Sequence, residues 1–91
     1  MIKIKRQSKP ISQLKKGDKI LIDGKGLIVD AHYLFMDHKT TKEMIIELFN
    51  PKTDKDYQIR YFDDQIETSL EFYYLQNEFE YKRAETKEIS W

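Results

Sequence analysis

The pair Asp23-Gly24 constrains this chain more than any other local feature. It lies between two short apolar runs, Lys19-Ile20-Leu21-Ile22 and the stretch that opens at Leu27. An Asp-Gly pair in that setting marks a tight hairpin, because the turn needs positive φ, where glycine meets no steric penalty. The second strand is expected from Leu27 to about Tyr33, with Leu27, Val29 and Ala31 on one side and Asp30 and His32 on the other. Just upstream, Gly17-Asp18 reads as an approach turn, with glycine free to take positive φ and the carboxylate able to bond nearby backbone.

The same punctuation continues. Leu34 to Glu43 reads as a loop or strand extension, and Met44 to Phe49 as a third strand. Asn50-Pro51 then spells a type I turn, with Asn first and Pro second. Tyr57 to Tyr61 alternates cleanly as a fourth strand. Phe62 to Ser69 fits either a single helical turn burying Ile66 and Leu70, capped by Asp63 or Asp64, or extended chain. Phe72 to Leu75 and Phe79 to Arg83 read as two strands joined at Gln76-Asn77. Turn signals at roughly ten-residue spacing with short strands between them predict an all-β fold, a small SH3-like barrel of five to six antiparallel strands. No amphipathic helix of useful length is present, which excludes parallel β–α–β units. Three segments are expected: a basic N-terminal arm at 1–13, the barrel at 14–83, and a charged, loosely held tail at 84–91 in which Trp91 has the apolar surface to dock.

Ninety-one residues suffice for one domain. Six Tyr, five Phe and one Trp supply the large side chains that a domain with few layers needs. Without cysteine, disulfides, thiolate zinc sites and thiol nucleophiles are excluded, as suits a reducing cytoplasm. Neither Leu27-Ile28-Val29 nor Tyr33-Leu34-Phe35-Met36 is long enough to span a bilayer, and no signal-like segment follows the basic N-terminus. A soluble, cytoplasmic protein without membrane contact is expected.

Net charge is zero but unevenly spread. Residues 1–27 hold eight Lys/Arg against two Asp, and residues 62–91 hold three against eight acids. Such asymmetry marks one face for phosphate and another for a basic partner, or two ends that neutralise each other on folding. Chemistry is poorly represented. His32 and His38 are the only imidazoles; with Asp30 or Asp37 they reach metal-ligand composition, yet they read as surface residues on a strand end and a loop. Asp63 and Asp64 are chain neighbours that point apart, which suits a turn or cap better than an acid/base pair. The glycines serve turns and leave no phosphate loop. The expectation is a binding module that is not an enzyme and uses no cofactor or metal.

Two features carry binding. Lys15, Lys16, Lys19 and Lys25, with the arm residues Lys3, Lys5, Arg6 and Lys9, can line one barrel edge and neutralise phosphates, a contact that needs charge but little geometry. The aromatic set Tyr57, Tyr61, Phe72, Tyr73, Tyr74, Phe79 and Tyr81 places about half its members inside by alternation. The remainder, such as Tyr73 with Phe49 or Tyr33, can stack bases or line a peptide groove.

The run Leu14-Lys15-Lys16-Gly17-Asp18-Lys19-Ile20-Leu21-Ile22-Asp23-Gly24, followed by Leu27-Ile28-Val29, resembles the opening of elongation factor P and its hypusine-bearing counterpart. The resemblance extends through Met44 to Asn50 and through Leu70 to Phe79. It implies an SH3-like, KOW-type N-terminal domain whose second and third strands carry a long loop with a modifiable lysine, a position met here by Lys39. It adds Lys39 to the nucleic-acid-binding set and implies RNA, DNA or ribosome as partner. The competing expectation is a protein-interaction or regulatory accessory domain, for example of phage or mobile-element origin. Oligomeric state is expected to be monomer, or homodimer through exposed strand edges.

Overall fold

Asp23 and Gly24 both take positive φ, 49° and 82°, so they form a two-residue type I′ turn between β2 (Lys19–Ile22) and β3 (Lys25–Asp37). Ile22 faces Lys25 across it. The computed structural model describes residues 2–91. From β3 the chain meanders antiparallel through β4 (Lys42–Phe49) and β5 (Asp56–Phe62), makes one helical turn, α1 (Ile66–Ser69), and continues through β6 (Glu71–Leu75) and β7 (Tyr81–Ala84). With β1 (Lys3–Arg6) and β8 (Glu88–Ser90) it builds one curled eight-stranded sheet in the order β1-β8-β2-β3-β4-β5-β6-β7.

Period-two alternation decides what is buried. Ile20 and Ile22 of β2, Leu27 and Val29 of β3, Ile46 and Leu48 of β4, Ile59 and Tyr61 of β5 and Phe72 of β6 all point into the concave side. Ile2, Ile11, Leu14 and Leu70, from the connecting segments, close over them, with Ile89 from β8. Tyr57 and Phe72 stack at 5.4 Å between ring centroids. The segment 62–69 takes the helical alternative, with Ile66 packed against the core and the Ser69 hydroxyl accepting the Phe62 amide at 2.9 Å, but Gln65 and not Asp63 or Asp64 stands at its N-cap, with no side-chain cap bond. Asn50-Pro51 opens a wider loop than a type I turn. Asp54 donates its amide to the Asn50 carbonyl at 2.7 Å with φ at 60°, so the loop closes one residue later.

The all-β class holds, but the architecture of five to six antiparallel strands does not. Among the described residues there are eight strands, and β1 and β8 run parallel, pairing Lys3 with Glu88 and Ile4 with Ile89. The expected basic arm and charged tail are therefore sheet elements (Met1 of that arm lies outside the described residues). Asp23 stitches the tail in place: its carboxylate accepts the amides of Lys87 and Glu88 at 3.0 and 2.9 Å, and its own amide donates to the Glu88 carbonyl. Trp91 closes the seam. Its indole N–H donates to the Lys9 carbonyl at 2.7 Å, and its amide donates to Arg6. A lone apolar residue between lysines, such as Ile4 in β1, reads as solvated chain until the distant strand that pairs with it is known.

Trp91→Ala removes that indole bond and the packing of the ring on the core. It is expected to lower unfolding free energy by about 3 kcal/mol in urea titration; a change below about 0.5 kcal/mol would show that the seam contributes nothing.

Candidate functional site

β2 and β3 are unequal partners: four residues against thirteen. Pairing with β2 ends at Lys19 opposite Ile28, and the turn before β2 adds one step. Val29 donates to the Asp18 carbonyl and accepts from the Gly17 amide, both at 2.8 Å. Beyond Val29 the strand slips register against β4, then pairs from Ala31 to Asp37 with β4 alone. Among the described residues, no other backbone group bonds to the far edge of Ala31–Asp37.

His32 marks where this edge leaves the body. Its Nδ1 lies 2.7 Å from the Leu14 carbonyl, which can only accept, so Nδ1 carries the proton. In that tautomer Nε2 accepts the Tyr61 hydroxyl, also at 2.7 Å. Burial pushes the Tyr61 phenol up to about 12, with Asp63 adding to the shift, so Tyr61 remains a donor at neutral pH. A residue that sequence reading offered as a metal ligand or surface imidazole is thus a bracket between Leu14 and the core.

Past His32, four consecutive large apolar residues stand in the open. Tyr33, Leu34, Phe35 and Met36 are 39, 47, 48 and 48 % exposed. A second register slip falls between Leu34 and Met36. On the convex face, Tyr33 donates to Glu47 at 2.7 Å, while the Arg60 guanidinium lies 5.6 Å from the Phe35 ring and 4.2 Å from the Tyr73 ring. Arg60 also donates to Gln58 at 2.8 Å. Ile45, in register between Tyr33 and Arg60, is buried by this layer, outside the main core. Burial lifts the phenols of Tyr33, Tyr73 and Tyr81, Tyr33 to about 12 with Glu47 as a further cause. Asp56 is raised by burial and by Asp54, Asp30 and Glu47.

The hairpin tip is tightly knit. Lys39 sits at φ 71°, its amide donating to Asp37. The Thr41 hydroxyl bonds to Asp63 and Asp64, and Asp63 accepts the Lys42 amide at 3.0 Å. Those two carboxylates therefore fasten the tip to the end of β5.

The five lysines expected to bind nucleic acid are spread out. Lys15, Lys16 and Lys19 gather at the start of β2, where Lys19 lies along Gly26. Lys25 stands beyond the other end of β2, and Lys39 caps the opposite end of β3, whose thirteen residues span roughly 40 Å if extended. Lys15 and Lys16 rim a groove of about 480 Å³ over Ser12, Leu14, Ala31, His32 and Met44. In the arm, Lys9 is taken by Asp18 at 2.7 Å, and Lys5 approaches Glu88 at 3.8 Å. The Lys9 and Lys15 contacts hold the Asp18 carboxyl below its ordinary value. Comparison with protein-family models, curated proteins and solved structures finds no match for this chain.

Two titrations follow from these groups. The Asp18 carboxyl is depressed on folding, so its contribution to stability is present above 3.8 and is lost as pH falls through its folded value. Asp18→Asn should remove that acid-side loss, read as a flatter dependence of the urea midpoint on pH; an unchanged slope would show that Asp18 is not coupled to folding. Tyr61 has the opposite sign. Its raised value leaves its contribution intact below 10.0 and removes it as pH rises toward about 12. Tyr61→Phe should flatten that alkaline loss and, at neutral pH, cost about 1–2 kcal/mol by stranding His32 Nε2. An equal alkaline slope in both proteins would contradict the bracket.

Proposed function

We propose that this chain is a non-catalytic protein-interaction domain that takes an extended segment of a protein partner along the open edge of β3, from Tyr33 to Asp37. One contrast carries the reading. The terminal strands of the sheet are guarded by cations, Lys3, Lys5 and Arg6 on β1 and Lys82 and Arg83 on β7, as is usual where strand pairing with other chains is to be avoided. The β3 edge carries no charge from Tyr33 to Met36 and shows four half-exposed apolar side chains. An added strand satisfies the free backbone groups, while Tyr33 and Phe35 on one face and Leu34 on the other anchor alternate side chains.

The dispersal of Lys15, Lys16, Lys19, Lys25 and Lys39 favours this over nucleic acid, since no continuous stripe forms and net charge is zero. Residues 14–83, whose strands β2 to β7 pair antiparallel, form the SH3-type, KOW-like unit that the resemblance implies. Action in a reducing, cytoplasmic setting is part of the same proposal.

Nuclease-treated pull-down with three baits tests this. The unaltered chain and Lys15→Ala/Lys16→Ala/Lys39→Ala are expected to retain the same protein partner. Leu34→Ser/Phe35→Ser/Met36→Ser, folded by circular dichroism, should lose it by roughly tenfold or more. A ligand that disappears with nuclease, or that depends on the lysines and ignores the serine variant, would overturn the reading in favour of nucleic acid.

A further inference from the structure

Phe79 is 91 % exposed, far more than any other large apolar residue of the described chain. The pattern of Phe79 to Arg83 predicts a strand there, yet Phe79 stands on the loop between β6 and β7. That loop is ordered by its own bonds. Gln76 donates its amide to the Glu80 carbonyl at 2.8 Å, and the Phe79 amide donates to the Asn77 side chain at 3.1 Å. The phenyl ring is therefore presented on a braced turn. On either side stand Glu78 and Glu80, neither of which pairs with a cation among the described residues.

The groove beside β2 has the complementary chemistry. Its floor is Leu14, Ala31 and Met44, with His32 and Ser12, and its volume of about 480 Å³ exceeds that of a phenyl ring. Lys15 and Lys16 rim it, and neither forms an ion pair among the described residues: Asp18, close enough to feel Lys15, is paired with Lys9. The loop and the groove lie at opposite ends of the sheet. Tyr74 and Leu75, which lead into the loop, lie at the Tyr57 end of β5, whereas Met44 at the groove pairs with Tyr61. Most of the length of β5, roughly 20 Å, separates them, so a copy cannot fill its own groove.

We infer that the chain self-associates head to tail: Phe79 of one copy seats in the groove of a second, with Glu78 and Glu80 against Lys15 and Lys16. An acid–aromatic–acid knob matched to an apolar floor with a lysine rim joins burial of the most exposed ring among the described residues to charge complementarity. Knob and groove are different surfaces, so the contact is heterologous and builds a ring or a chain of copies. This goes beyond the proposed use of the β3 edge from Tyr33 to Asp37, because the groove draws on Ala31 and His32, just before that stretch.

Sedimentation equilibrium of the full chain, from micromolar to millimolar, tests the inference by charge exchange. The unaltered chain should show an average mass above monomer that rises with concentration and falls with salt. Phe79→Ser, Lys15→Glu/Lys16→Glu and Glu78→Lys/Glu80→Lys should each weaken association at least tenfold while remaining folded by circular dichroism. Mixing the two charge-reversed proteins restores both opposite-charge contacts, so the mixture should associate although each component alone does not. A monomeric unaltered chain at every concentration, undiminished association of Phe79→Ser, or a mixture that stays apart would each overturn the inference. So would association lost in Leu34→Ser/Phe35→Ser/Met36→Ser and kept in Phe79→Ser, an outcome that assigns self-pairing to the β3 edge.

Discussion

The difference in length between β2 and β3 governs this molecule. A four-residue strand can satisfy only the first part of a thirteen-residue neighbour. Backbone N–H and C=O groups need partners, and those on the uncovered edge of Ala31–Asp37 meet water. The chain manages the change at two points. Gly17 and Asp18 bond to Val29 as the last covering step, and His32 ties Leu14 to Tyr61 immediately after it. The curl of the sheet, the buried core and the projecting hairpin all divide at this place.

Charge then separates the edge that is open from those that are closed to other chains. Lysine and arginine on β1 and β7 oppose pairing at the ends of the sheet, whereas Tyr33-Leu34-Phe35-Met36 offers apolar surface with no such guard. The Glu78-Phe79-Glu80 knob and the Lys15/Lys16 groove form a second complementary pair of surfaces at opposite ends of β5. The uneven charge along the chain is only partly cancelled by folding: Lys5 meets Glu88, yet among the described residues Lys15, Lys16, Glu78 and Glu80 form no ion pair.

Local chemistry made much of the fold legible. Asp-Gly marked its tight turn, and alternation set Leu27 and Val29 on one side of β3 and Tyr57, Ile59 and Tyr61 over the core, where they lie. What escaped was non-local. β1 and β8 come from opposite ends of the chain and hold one apolar residue each, Ile4 and Ile89, so no local pattern links them. Asp23 could be read as a turn residue but not as the acceptor for Lys87 and Glu88, because that role exists only once the tail arrives. The site was less legible still. Tyr33 to Met36 stood out as an apolar run, but whether such a run is core or edge depends on the length of its neighbour. Phe79 fitted a strand pattern from which the braced loop at Asn77 removes it.

The open edge is the central claim, and native-state amide hydrogen exchange on the isolated, dilute chain tests it most directly. Ile20, Ile46 and Ile59 should show amide protection close to the global unfolding limit. Within Tyr33–Asp37, the alternate amides that turn away from β4 should exchange orders of magnitude faster than those that donate to it. Uniform high protection across Tyr33–Asp37 would mean that the edge is already covered, and would contradict the account.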